Sequence, residues 1–251
     1  MNDPKSVSNS RLSRIETLWS VVRRSQDTDS EFAISAQQQL LDIYGNAIKR
    51  YLVAALRNQE LADDLFQEFA LKFVQGGFKN VDSEKGRFRS FVKTVLYRMV
   101  AHHHRKKSVR KEQAFPEDPE GHQDPVFDTA AEDQKFMQDW RDEIIDHAWT
   151  ALEDHQHKSE ANYFTILNTR VNEPDLSSEA FAERLSGLLG KEVKSGAARV
   201  SLHRAREKFA SFIIESVAQS IEDPDRQNIE EELIDLQLIK YCREALNSID
   251  E

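Results

Sequence analysis

The chain has 251 residues, with 34 Lys+Arg against 44 Asp+Glu and a formal net charge of −10 at pH 7. A hydrophobic fraction of 39% and a charged fraction of 31% supply core for one or two domains and exclude an intrinsically disordered chain. Eight Gly and six Pro argue against a turn-rich β sandwich. The single cysteine, Cys242, excludes a disulfide framework or a multi-cysteine zinc site.

Apolar residues recur at helical spacing almost throughout. The stretch MNDPKSVSNS lacks an apolar signal core, so the cytoplasm is the expected compartment. No apolar run approaches the roughly 20 residues of a membrane span. Leu12, Ile15, Trp19 and Val22 predict a first helix. Leu40, Tyr44, Ile48, Tyr51, Leu52 and Ala55 predict a long second one. Leu61, Leu65, Phe66, Phe69 and Phe73 predict a third, stopped at Gly76-Gly77. A fourth starts near Gly86 and carries Phe88, Phe91, Val92, Val95, Leu96, Met99 and Val100.

That fourth helix lies in the most basic part of the chain. Residues 84–111 hold ten Lys/Arg and one acid, a local charge of +9, which leaves −19 for the remainder. Aromatics are interleaved with cations, the mixture that holds single-stranded nucleic acid by phosphate contact and base stacking. Phe88 and Phe91 fall at core spacing, which leaves Tyr97 as the better exposed ring. A charge run alone more often marks a solvated helix face.

Residues 112–133 contain eight acids, no Lys or Arg, and Pro116, Pro119 and Pro125. Such a segment reads as a self-repelling linker. Beyond it, Phe136, Trp140, Ile144, Ala148, Trp149 and Leu152 predict a helix, and Tyr163, Ile166, Leu167 and Val171 another. Cap residues in Asp175–Ser178 open a third, with Phe181, Leu185 and Leu188, closed by Gly190. A fourth begins near Ser195 and runs through Leu202, Ala205, Phe209 and Val217 to a break at Asp223-Pro224-Asp225. One last helix is predicted across Ile229, Leu233, Leu236, Ile239, Cys242 and Leu246.

The expected fold is therefore all-α, with two helical domains, 11–111 and 134–221, joined by the acidic linker 112–133, and a C-terminal helical extension over 222–251. Residues 177–209 fit a helix-turn-helix whose second helix buries Leu202, Ala205 and Phe209 and shows Arg199, His203, Arg204 and Arg206. Such arginines take guanine edges or phosphates. An ordinary helical hairpin with a basic face fits the pattern equally well.

Three segments in order carry a family resemblance. ADDLFQEFALKF (62–73), VDSEKGRFRSFVKTVLYRMVAHHHRKK (81–107) and LHRAREKF (202–209) resemble, in turn, the polymerase-docking helix, the promoter-melting region and the end of the −35 helix of bacterial sigma factors. The chain resembles the sigma-70 superfamily, extracytoplasmic-function type, over about 35–220. The resemblance implies a non-enzymatic factor that binds core RNA polymerase and promoter DNA, with an anti-sigma factor as a further partner and no cofactor. It implies that Asp63, Asp64, Gln67 and Glu68 meet the polymerase. Arg87, Arg89, Lys93, Tyr97, Arg98, His103, Arg105 and Lys106 would line the −10 DNA. Lys194, Arg199, His203, Arg204 and Arg206 would meet the −35 duplex. The linker would thread toward the RNA exit path as a nucleic-acid mimic.

Three rivals stand beside it, one of them an anti-sigma-like or scaffold protein that has lost DNA binding. A free-standing helix-turn-helix regulator would bind DNA without polymerase, the last helix serving as a dimer interface. A metal-dependent hydrolase would draw on His147, His155 and His157. His102, His103 and His104 are consecutive, so a helix spreads them about 100° apart and they do not converge on one ion. No Walker, GxGxxG or GxSxG motif is present. The chain departs from the family in its longer LLGKEVKSGAA turn, in Arg199-Val200-Ser201, and in Tyr97-Arg98. Base preference therefore does not carry over.

Overall fold

A computed structural model describes residues 17–24, 31–78, 86–114 and 129–248. Among the described residues there are ten helices and no strand. They are α1 (Leu18–Arg24), α2 (Glu31–Leu56), α3 (Gln59–Val74), α4 (Phe88–Ala114) and α5 (Thr129–Lys158), followed by α6 (Tyr163–Asn172), α7 (Ser178–Leu189), α8 (Ser195–Gln219), α9 (Arg226–Asp235) and α10 (Ile239–Ser248). The all-α reading holds.

The chain forms two units. Of the described residues, the first comprises those from Thr17 to Glu143 together with Ala218–Asn228; the second comprises Ile144–Val217 with Ile229–Ser248. The sequence places the division at 112–133, of which 115–128 lies outside the described residues. The contacts instead divide α5 itself. The reason is apolar burial: Phe136 and Trp140, on the first turns of α5, are completed by rings of the N-terminal helices.

The first unit is built on an aromatic core. Tyr44 of α2 stacks on Trp140 at 4.1 Å with ring planes 6° apart. Phe88, the first residue of α4, meets Trp19, Tyr44, Phe73, Phe91 and Trp140 at centroid separations of 5.1–6.0 Å. Such pairs contribute about 0.5–1.5 kcal/mol each beyond burial. They fix the start of α4, and hence the direction in which its basic residues leave the core. Arg50 of α2 adds a polar tie, donating to Glu143 Oε1 at 2.6 Å and Asp139 Oδ1 at 3.0 Å.

The second unit buries Leu152, Ile166, Leu167, Phe181, Leu185, Leu202 and Ala205 in one cluster, with Trp149, Phe209 and Phe212 against it. Ser177 caps α7 by accepting from the Ala180 amide at 3.2 Å. Gly190 ends it in the left-handed region, φ 63°, where glycine alone is unstrained. The connection to α8 is held by Ser186, whose hydroxyl accepts from the Val193 amide at 2.9 Å and donates to Ala182 O at 2.8 Å.

The predicted last helix is two. α9 and α10 are separated at Leu236–Leu238, where Gln237 takes φ 59°. The break lets Leu236 and Leu238 both point inward, each 1% exposed, which a continuous helix could not arrange two residues apart. Leu12 and Ile15 of the predicted first helix lie outside the described residues.

Candidate nucleic-acid interface

Exposed cations cluster on two helices, α4 in the first unit and α8 in the second. In α4, Phe88 and Phe91 are 0% and 2% exposed while Tyr97 is 57% exposed. Helical spacing produces this separation: Phe88, Phe91, Val92, Val95 and Leu96 face the core, and Tyr97 and Arg98 leave it on the other side. Arg98, Arg105 and Lys106 are exposed and form no ion pair among the described residues. Arg98 and Arg105 are two turns apart on one face, with exposed His102 between them.

The other α4 residues singled out by sequence are already engaged. Lys93 Nζ lies 2.7 Å from Asp133 of α5. Arg89 donates to the Met137 sulfur. His103 is half-buried and sits edge-on to His104. Arg87 departs furthest from the sequence expectation of an exposed phosphate ligand: it is 2% exposed. Its backbone pairs antiparallel with Ile221, far along the chain.

On α8, Arg199, His203, Arg204 and Arg206 are all exposed, opposite buried Ala198, Leu202 and Ala205. Arg199, His203 and Arg206 follow i, i+4, i+7 spacing and share a stripe; Arg204 stands about 100° away. His203 Nε2 lies 3.5 Å from Glu207. Lys194 is exposed just before the helix, and its carbonyl accepts from the Ala198 amide at 2.9 Å. Arg199, Arg204 and Arg206 form no ion pair among the described residues.

On α3, Asp64, Gln67 and Glu68 are exposed and Asp63 half-buried, opposite buried Ala62, Leu65, Phe69 and Phe73. Asn58 caps this helix through the Leu61 amide at 3.0 Å. Asp63 accepts from Gln59, and Glu68 pairs with Lys72. Leu71 lies on the same face as Asp64, Gln67 and Glu68 and is 59% exposed. Leu71 is not among the site residues that the sequence singles out; its position, seven residues after Asp64, is the signal that could have found it.

Burial pushes the His147 imidazole below its ordinary 6.5, against the nearby Glu215 charge, and its Nδ1 sits 2.9 Å from Ser216 Oγ. Among the described residues no three His, Cys, Asp or Glu side chains group as metal ligands. No helix among them is long and apolar enough to cross a membrane.

Residues 40–110 match the family model described as Sigma-70 region 2. The matched stretch runs from the middle of α2 through α3 and most of α4. Over this stretch the chain is similar to Sigma-70 region 2. No curated protein and no solved structure matches the chain.

Proposed function

We propose that the chain is an extracytoplasmic-function type sigma factor that binds core RNA polymerase and directs initiation at promoters with −10 and −35 elements. In this reading α3 meets the polymerase through Asp63, Asp64, Gln67 and Glu68, with Leu71 as the apolar centre of the contact. The α4 face bearing Tyr97, Arg98, Arg105 and Lys106 receives the opened −10 strand, cations on phosphates and the ring on an unpaired base. The helices α7 and α8 act as a helix-turn-helix, with Arg199, His203 and Arg206 toward the −35 major groove and Arg204 on a flanking phosphate. The chain catalyses nothing itself.

One observation carries the reading. In a chain of net charge −10, unpaired and exposed cations are gathered on α4 and α8, and α4 lies in the segment that matches Sigma-70 region 2. Diffuse acidity elsewhere lowers non-specific DNA affinity, so specific binding would depend on polymerase aligning both helices.

Gel shift with the chain alone, core polymerase alone and both together tests this. A promoter complex only in the combined sample is expected. Tight binding by the chain alone would favour a free-standing regulator instead.

A further inference from the structure

Residues 194–206, which open α8, contain no acid. Lys194, Arg199, His203, Arg204 and Arg206 are exposed there. Among them stands one exposed branched apolar side chain, Val200, 51% exposed. It falls roughly opposite the buried Ala198, Leu202 and Ala205. At about 100° per residue it stands about 100° round the helix from Arg199 and about 40° from Arg204. The centre of the exposed face is therefore a valine. The stripe of Arg199, His203 and Arg206 runs along one side of it and Arg204 along the other.

The approach to Val200 is open. Gly196, one turn earlier, has no atom near the place a Cβ would take, and Ala197 is exposed. The next acid along the helix, Glu207, comes two turns after Val200 and lies 3.5 Å from His203. The first turns of α8 thus combine flanking cations with an apolar centre, and negative charge begins only beyond them.

A single exposed apolar side chain is ordinary on a protein surface; its surroundings set this one apart. An apolar protein partner at Val200 would strip water from the flanking cations, which is costly. A DNA duplex offers those cations phosphates instead. What it offers the valine is narrow in kind. The base edges of the major groove present hydrogen-bond donors and acceptors, and the C5-methyl of thymine is the apolar exception. A donor or acceptor pressed against Val200 would lose water and gain no partner. Valine in a helix holds one strongly preferred rotamer, so little side-chain freedom is lost in such a contact.

We propose that Val200 is a specificity residue of the duplex contact: it packs on the C5-methyl of one thymine in the −35 element and makes the chain prefer a T·A pair at that position. This rests on the reading of α7 and α8 as a helix-turn-helix, and adds to it a base preference drawn from this chain's own side chain.

The test uses the full chain with core RNA polymerase, on a promoter duplex identified by the chain's own transcript starts. Each thymine of either strand in the upstream element is replaced in turn by deoxyuridine, which removes only the methyl. Wild type is expected to lose about fourfold in affinity at one thymine, the worth of one buried methyl-sized group, and little at the others. Val200→Ser should bind the thymine and deoxyuridine duplexes alike at that position. Val200→Thr, which keeps a methyl, should retain part of the discrimination. Thermal unfolding of both variants should match wild type, because the side chain is exposed. Wild-type binding indifferent to every replacement would overturn the proposal, as would a discrimination that survives Val200→Ser unchanged. Loss of polymerase capture in Val200→Ser would place Val200 against the polymerase and overturn it too. Failure of the wild type to form any promoter complex would instead reject the sigma-factor reading, and the proposal with it.

Discussion

Arg50 on α2 reaches Glu143 on α5 across 2.6 Å, and both Glu143 and its neighbour in the contact, Asp139, are buried while the guanidinium is part-exposed. Burial alone would lower the Arg50 pKa; the hydrogen bond and charge of Glu143, then of Asp139, outweigh it and raise it. Arg50→Ala would leave two carboxylates without this partner. Lys135 would still hold Asp139, so the loss is set at about 2–3 kcal/mol, below the full cost of breaking a buried pair. Urea unfolding checks this. Arg50→Lys should recover only part of the loss, because an ammonium does not reproduce the forked contact.

The His147 ring gives a pH dependence of defined sign. Its pKa in the folded chain lies below the ordinary 6.5, so the unfolded chain takes up the proton first. The contribution to stability is fully present above pH 6.5 and is lost as pH falls through the folded value. The difference in urea midpoint between wild type and His147→Gln should therefore shrink or reverse between about pH 7.5 and pH 5.5. A difference independent of pH would contradict the assignment.

Cys242 is buried in α10, and burial pushes its thiol up to about 12. The thiolate that reacts with alkylating reagents is therefore scarce in the folded chain. Iodoacetamide should label the native protein far more slowly than a free thiol and reach the free-thiol rate in denaturant. Mass spectrometry gives the rate without interference, since no other cysteine is present. Rapid native labelling would mean that α10 opens readily.

Neutralising α8 separates phosphate contacts from base contacts. Arg204→Ala is expected to weaken promoter binding evenly across sequences and to reduce the salt slope by about 1. Arg206→Ala, on the stripe with Arg199, should cost about 1–3 kcal/mol and relax sequence preference at one position. Filter binding of the polymerase-bound chain across a salt series distinguishes the two.

The α3 face makes a separate prediction. Leu71→Asp and Asp64→Lys should each lower capture by core polymerase at least about tenfold, as substitutions at the centre of an interface do. Because both side chains are exposed, thermal unfolding should shift little. Loss of fold in either variant would contradict the placement.

Much of the fold was legible because helix faces are local. Phe88, Phe91 and Tyr97 sort into core and surface by spacing alone. Ser177, Gly76 and Gly190 mark helix ends through their own side chains or their lack of one. What was not legible was set by distant contacts. Arg87 reads as exposed beside its basic neighbours, whereas it is buried and its backbone pairs with Ile221, far along the chain. The division within α5 follows from Trp140 finding Tyr44, which no periodicity within α5 reveals. The break at Gln237 hides in an apolar run, because Leu236 and Leu238 both satisfy a core whose direction the sequence does not state. Of the candidate site, the α8 cations stood where spacing put them, whereas Lys93 and Arg89 were drawn to Asp133 and Met137 on another helix.

The central claim is tested most directly by adding the purified chain to core RNA polymerase on genomic DNA and mapping the 5′ ends of the transcripts. The account predicts starts that require the chain and share a two-part upstream motif, with the motif's upstream half lost on Arg199→Ala/Arg206→Ala. Starts identical to those of polymerase without the chain, or starts with no common upstream element, would contradict it.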